Sequence, residues 1–268
     1  MTHAKEIAMS VNNDRQIALV TGAASGIGRA IARLLHDRGW FVACLDRDAC
    51  GMAALAGELG DGNGLFLTVD VADRTALSAA VNQIASVSGG RLDMLVNNAG
   101  IDAKGAFAEM EWDRIVAVVN VNLVAGMSLI HLAYPMLRAT SGSLCLSTAS
   151  ASAIFGTAGM AVYSATKHAI KGLTEALSVE FAADGVRVAD MLPGIIDTGI
   201  LDPAVKAMLP TEGPLRVIDP ADVAMLALTA YHSTGLHYYI PQELADYDVD
   251  VTTNPEAARD RRIAGSPM

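Results

Sequence analysis

Short apolar runs alternate with longer amphipathic stretches along this chain. The apolar runs are Gln16–Val20, Phe41–Asp46, Leu65–Val71, Met94–Asn97, Ser143–Leu146, Val186–Leu192 and Leu236–Ile240. Bounded by polar and glycine-rich segments, they are read as strands. Helical patterns start between them, near Gly26, Asp48, Asp73, Asp113, Gly159 and Asp219. This alternation predicts right-handed crossovers and a parallel sheet covered by helices on both faces. The helix from Gly26 to Arg38 is expected to stop on Gly39, a good left-handed cap. The helix from about Gly159 carries Ala169, Leu173 and Leu177 on one stripe and stops at Asp184-Gly185. No repeat and no Pro/Gly-rich linker divides the pattern. It predicts one doubly wound α/β domain of about seven strands over 16–240, after a loose polar arm at 1–15 and before a tail at 241–268.

The bulk composition narrows the partners. The 268 residues are 52% hydrophobic, enough for a large core, and carry a formal net charge of -10. An acidic chain repels nucleic acid and anionic membranes, so neither is an expected partner. No run of about 20 uninterrupted apolar residues predicts a membrane span. Three cysteines, Cys44, Cys50 and Cys145, are too few for a disulfide framework and suit a reducing, cytoplasmic setting. The six histidines have no metal-ligand spacing and there is no C-x-x-C, so no metal site is expected.

The first strand runs into Thr21-Gly22-Ala23-Ala24-Ser25-Gly26-Ile27-Gly28, and a helix follows. Glycines there let the backbone turn sharply and approach a pyrophosphate, which the N–H groups of the helix start can face. The spacing is G-x-x-x-G-x-G, with no lysine after the last glycine, so it is not a Walker loop. Asp46 ends the second strand eighteen residues past Gly28. A carboxylate there can accept from ribose hydroxyls and repel a 2′-phosphate. It can equally cap the next helix. Arg47 beside it could offset a phosphate, but Ala23, Ala24 and Ser25 add no positive charge. The balance favours NAD over NADP.

Farther along, Tyr163-Ser164-Ala165-Thr166-Lys167 puts a phenol and an ammonium at i, i+4 on one helix face. A nearby cation favours phenolate and suits proton transfer at an alcohol oxygen. An isolated pair of this spacing is as well explained by a solvated helix surface.

Thr21 to Gly28, Asp70-Val71 after the third strand, Asn97-Asn98-Ala99-Gly100 after the fourth and the Tyr163–Lys167 pair resemble the short-chain dehydrogenase/reductase family in its common short form. They stand in the family's order and spacing between residues 16 and about 230. The resemblance implies a Rossmann-like fold, a nicotinamide cofactor and an alcohol/ketone substrate. It implies that Asp70 and Val71 meet the adenine, and that Asn97 supports the adenine ribose and the sheet. Ala99 and Gly100 complete that segment. Ser150, thirteen residues before Tyr163, takes the place of the serine that bonds the substrate oxygen; Ser147 and Ser152 are close rivals. Asn122 takes the place of the asparagine that holds a proton-relay water, with Asn120 as its competitor. Lys167 would bond the nicotinamide ribose and lower the Tyr163 pKa. Pro193-Gly194-Ile195-Ile196-Asp197-Thr198 resembles the family's P-G-x-x-x-T segment, in which the backbone near Ile196 and the Thr198 hydroxyl hold the carboxamide. Dimers or tetramers are usual in the family.

Two other readings stay open on sequence: an NADP-dependent carbonyl or acyl-chain reductase, supported by Arg47, and a non-catalytic nucleotide-binding regulator. Met160, Phe155 and Leu201 are candidates for a substrate pocket or for plain core, and His168 for a surface position. The tail departs from the family. Leu244, Tyr247, Val249 and Val251 offer apolar surface to dock near a pocket mouth, whereas the end from Asn254 is polar and expected to be mobile.

Overall fold

The computed structural model describes residues 15–60, 62–199, 201 and 203–265. The arm expected at 1–15 lies, apart from Arg15, outside the described residues. The elements are β1 (Ile17–Thr21), α1 (Gly26–Asp37), β2 (Phe41–Asp46), α2 (Ala49–Leu59), β3 (Gly64–Thr68), α3 (Arg74–Ser88), β4 (Met94–Asn97), α4 (Trp112–Val119), α5 (Ala125–Arg138), β5 (Leu144–Thr148), α6 (Ala161–Glu180) and β6 (Arg187–Pro193). They continue with β7 (Ile195–Ile196), α7 (Pro203–Lys206), β8 (Val217–Ile218), α8 (Pro220–Tyr231), β9 (His237–Ile240), α9 (Leu244–Thr253) and α10 (Pro255–Ile263).

Seven strands form one parallel sheet in the order β3-β2-β1-β4-β5-β6-β9. β1, β2 and β5 are buried on both faces, which is why they read as unbroken apolar runs rather than alternating ones. Ala18, Val20, Met94 and Val96 point to one layer with α1 and α8; Ile17, Leu19 and Leu95 point to the other with α3 and α5. The chain winds one way from β1 to β3 and the other way from β4 onward. That reversal opens a crevice beyond the carboxyl ends of β1 and β4, where open α/β sheets bind ligands.

Helix starts follow local chemistry. Asp48, Asp73 and Asp219 cap α2, α3 and α8, each accepting from a backbone N–H of the first turn. Gly39, at φ +84°, follows the end of α1 as expected. Beyond α6 a 3-10 turn at Phe181–Asp184 leads to Gly185, at φ +72°. The third strand is shorter than the pattern suggested: it ends at Thr68, and Asp70-Val71 lie in the turn beyond it.

α4 and α5 form one rod joined by a π-turn at Asn120–Val124. The rod, Trp112–Arg138, is the one described helix long and apolar enough to cross a membrane by length and composition. Here its inner face, with Val118, Leu129 and Ala133 buried, serves as a core helix of the sheet. The tail also differs from expectation. Its polar end forms α10, started by the Asn254 side chain accepting from Ala257 N–H at 3.1 Å and pinned by buried Ala258.

Candidate active site

A cleft of about 910 Å³ lies along the carboxyl ends of the strands. Gly22, Ser25, Gly26 and Ile27 line it at the start of α1. Unlike α2, α3 and α8, α1 has no side-chain cap: the Ser25 hydroxyl accepts no N–H, and no acidic residue stands in the first turn. Its first N–H donors are therefore left for an anion. Gly22 and Gly26 have φ of +69° and +52°, which favour glycine. Gly28 does not line the cleft but packs. A Cβ on it would lie 2.2 Å from the Gly22 carbonyl oxygen, so the helix sits against the strand end only because that Cβ is missing.

Asp46 lines the same end of the cleft. Its Oδ2 accepts from Ala24 N–H at 3.0 Å and its Oδ1 from Asp48 N–H at 2.9 Å, which fix the carboxylate at the rim. Arg47 is exposed at the mouth, with Asp70 and Val71 beside it. Arg29 and Arg33 share Glu58, and neither lines the cleft. The donors left at the start of α1 and the fixed carboxylate at the end of β2 fit the pyrophosphate and ribose of a dinucleotide.

The segment after β4 calls for one correction. Asn97 continues the alternation of Leu95 and faces α5. Its side chain sits where a Cβ on Gly126 would come within 2.7 Å of it. Asn98 lines the cleft in its place. Its amide donates to Thr21 O at 3.0 Å and accepts from Thr148 Oγ1 at 3.1 Å, stitching the ends of β1 and β5 across β4. Thr21 Oγ1 accepts from the N–H groups of Asn98 and Ala99, both at 3.0 Å. Ala99 and Gly100 line the cleft as expected.

Three further residues line the middle of the cleft, and a fourth, Asn122, lies buried behind them. Ser150 and Tyr163 line the cleft side by side, and the serine hydroxyl acts on the phenol. Ser150 Oγ also accepts from Ser152 N–H at 3.1 Å. Ser152 lines the cleft as well, whereas Ser147 is buried within β5. Lys167 is buried and donates from Nζ to Thr148 O at 2.7 Å, 5.5 Å from the Tyr163 ring centroid. Asn122 is buried in the π-turn, while Asn120 is exposed. The extra residue in that turn rotates Asn122 inward. Its Oδ1 accepts from Ile101 N–H at 2.8 Å and its Nδ2 donates to Ile101 O at 2.9 Å. A Cβ on Gly100 would lie 3.4 Å from Asn122 Oδ1 and 3.7 Å from Lys167 Nζ, so the three meet around that glycine.

The electrostatics differ from the sequence expectation. Burial pushes the Tyr163 phenol above its ordinary value; the Ser150 hydrogen bond pulls it down, and the Asp102 carboxylate adds to the rise. Burial lowers the Lys167 pKa from 10.5 to about 8. The lysine is held by the Thr148 carbonyl rather than aimed at the phenol oxygen.

Pro193, Gly194, Ile196 and Thr198 line the far wall. Met160 and Leu201 join them; Phe155 stands just behind. His168 is exposed, its Nδ1 against Ser164 O. Leu244, Tyr247 and Arg262 of the tail also line the cleft, whereas Val249 is exposed. Arg262 escaped sequence reasoning because only the packing of α10 turns it inward. Among the described residues no group of three or more His, Cys, Asp or Glu is placed to hold a metal.

Comparison with known proteins agrees with this geometry. Residues 16–208 match the family model described as short chain dehydrogenase. An uncharacterized oxidoreductase of Staphylococcus aureus (strain MW2) is 33% identical over 223 residues, covering 83% of this chain and 93% of that one. Meso-2,3-butanediol dehydrogenase of Serratia marcescens is 33% identical over 189 residues, covering 70% and 74%. The crystal structure of 3-ketoacyl-(acyl-carrier-protein) reductase from Brucella melitensis complexed with NADH superposes with a TM-score of 0.76 at 28% identity, over 84% of this chain and 96% of that one. The sheet order, the glycine turn and these matches agree: the chain belongs to the short-chain dehydrogenase/reductase family and is an oxidoreductase of the pyridine-nucleotide type.

Proposed function

We propose that this protein transfers a hydride between NAD(H) and a small-to-medium secondary alcohol or ketone, with Tyr163 as the general acid/base. The observation that carries the proposal is the convergence of Tyr163, Ser150 and Lys167 in the cleft, with Asn122 buried behind them at Gly100, while Asp46 stands at the cleft's other end. The nicotinamide, when bound, supplies or accepts the hydride. Gly22, Ser25, Gly26 and Ile27 would hold its pyrophosphate, Asp46 the adenosine ribose, and Asp70 and Val71 the adenine. Ile196 and Thr198 would hold the carboxamide. Ser150 donates to the substrate oxygen and orients it. Tyr163 gives its phenolic proton to that oxygen in reduction and takes it back in oxidation. Burial raises the phenol pKa, so Tyr163 holds the proton that a carbonyl oxygen needs in reduction. Lys167 and Asn122, buried beside Gly100, carry the proton path behind the phenol.

NAD is favoured over NADP because the Asp46 carboxylate repels a 2′-phosphate and the glycine turn carries no cation. The meso-2,3-butanediol dehydrogenase relative supports a small alcohol, and the NADH-bound reductase supports NAD(H). The test is nicotinamide oxidation or reduction with a panel of ketones and alcohols. A catalytic efficiency at least tenfold higher with NAD(H), about 1.4 kcal/mol, supports the proposal. Equal or better use of NADP(H) contradicts the cofactor assignment. The α4–α5 rod exposes Trp112, Val116, Val124 and Met127 on its outer face, which supports a dimer or tetramer built on that face. Sedimentation as a monomer at micromolar concentration contradicts it.

A further inference from the structure

We propose that Arg262 is a specificity residue of the cleft and binds a carboxylate carried by the oxo or hydroxy substrate. Arg262 lies on α10, beyond residues 16–208 that match the family model. The helix carries three arginines near its end, and two point outward to acids. Arg259 pairs with Asp260 at 2.8 Å, and Arg261 with Asp250. Arg262 turns inward to the cleft. Its guanidinium stands 5.1 Å from the Phe155 ring centroid and 5.7 Å from that of Tyr247. Nε and Nη2 donate to the Tyr247 hydroxyl at 3.1 and 2.9 Å. Among the described residues no carboxylate lies within ion-pair distance of it.

This arrangement fixes a permanent cation without neutralising it. A guanidinium does not deprotonate in proteins, and its flat fork fits a carboxylate with two parallel hydrogen bonds. Two aromatic faces and one hydroxyl hold it in place, so little side-chain freedom is left to lose on binding. The Nη1 hydrogens and the second Nη2 hydrogen remain for a ligand and form one edge of the fork. Asp102 is the acid nearest the reacting end of the cleft, and it is already flanked by Lys104 at 3.3 Å and Arg114 at 3.8 Å. The substrate side of the cleft therefore has net positive charge in a chain whose net charge is -10. Phe155, over which the guanidinium sits, belongs to the loop between Ser150 and Tyr163. A carboxylate on Arg262 thus docks on the wall that carries the serine and precedes the tyrosine.

The proposal rests on the redox reading of the same cleft, and its test separates the two. Short oxo acids of increasing length and their methyl esters are compared, with kcat/KM measured on the full chain and on Arg262→Met and Arg262→Lys. Met keeps a long stem over Phe155 without charge; Lys keeps the charge without the fork. The ratio of acid to ester efficiency is expected to exceed ten in the wild type. It should fall by ten- to a hundredfold in Arg262→Met and less in Arg262→Lys, the range for a charged hydrogen bond of roughly 1.5–3 kcal/mol. A second arm reads binding alone, by saturation-transfer NMR with hexanoate and hexanamide. Selective hexanoate binding that disappears in Arg262→Met supports the proposal even if no ketone or alcohol is turned over, a result that would sink only the redox reading. An unchanged acid-to-ester ratio in Arg262→Met, or equal binding of hexanoate by both proteins, overturns it.

Discussion

The two ends of the cleft are built by different means. At the cofactor end the ligand-facing groups are mostly backbone: the uncapped start of α1, Gly22, Gly26 and the turn after β3. Their positions follow from the sheet itself, because Thr21, Asn98 and Thr148 lock the ends of three neighbouring strands. At the substrate end the walls are side chains on loops and on the tail: Met160, Leu201, Leu244, Tyr247 and Arg262. That end is tied down by a titratable network. Asp190 on β6 bonds His237 on β9 at 2.8 Å, and Asp248 on α9 bonds Lys171 and Tyr239, each at 2.6 Å. The lesson is that a family can keep one ligand by fixing backbone and change the other by exchanging side chains on segments the sheet does not constrain.

The sharpest way to break the comparison is to put a methyl group into the backbone-built end. Gly28→Ala sets a Cβ 2.2 Å from Gly22 O and 2.7 Å from Asn98 Nδ2, where nothing flexible can give on the backbone side. We expect a stability loss of about 3 kcal/mol and loss of dinucleotide binding, read by thermal unfolding and by titration. Gly57→Ala on α2, with nothing within 4 Å of the added Cβ, is expected to be neutral or stabilising. A Gly28→Ala protein that binds NAD as well as the wild type would remove the packing argument.

A smaller effect is expected from the side chain proposed to read the adenosine ribose. Asp46→Ser should narrow the NAD preference by about tenfold, near 1.4 kcal/mol, mainly by improving NADP. An unchanged preference would mean that Asp46 serves only the loop through Ala24 and Asp48 N–H.

The smallest effect belongs to the anchorage of the edge strand β9, from which the tail leaves. The bond to Asp190 raises the His237 pKa above its ordinary 6.5, against burial that lowers it; Lys171 lowers it further and Glu175 raises it. Asp190 is itself pushed up by burial. A folded-state pKa raised above the unfolded one gives stability that is complete below pH 6.5 and is lost as pH rises through the folded value. The wild type should therefore lose on the order of 1 kcal/mol as pH rises from 6 into the alkaline range, and His237→Gln should lose less. Parallel pH profiles for the two proteins would remove His237 from the account.

How far the sequence was legible follows the same division. Phe41–Asp46 and Met94–Asn97 were readable to the residue because apolar runs between polar ends set them. Asp70 was readable as a cleft residue although the strand stops at Thr68. Asn97 misled because the motif names two asparagines, and only the alternation from Leu95 tells which one faces α5. Asn122 was readable over Asn120 because it shares a helical stripe with Ile115, Val118 and Leu129, although the π-turn that carries it left no mark in that spacing. Helical spacing placed Lys167 near Tyr163, but not the Thr148 carbonyl that its ammonium bonds, which lies on another element. The helical end of the tail was hidden by its polarity. Asn254 and Pro255 were the readable start signal, a cap followed by proline at the first turn.

The central claim, that Tyr163 moves the proton while the chain's other residues hold the ligands, is tested most directly by turnover and cofactor affinity of Tyr163→Phe measured side by side in the carbonyl-reducing direction. Removing the one oxygen should lower kcat on the order of 10²–10⁴-fold, with NADH affinity within about threefold of the wild type. Ordinary turnover by Tyr163→Phe would contradict the account.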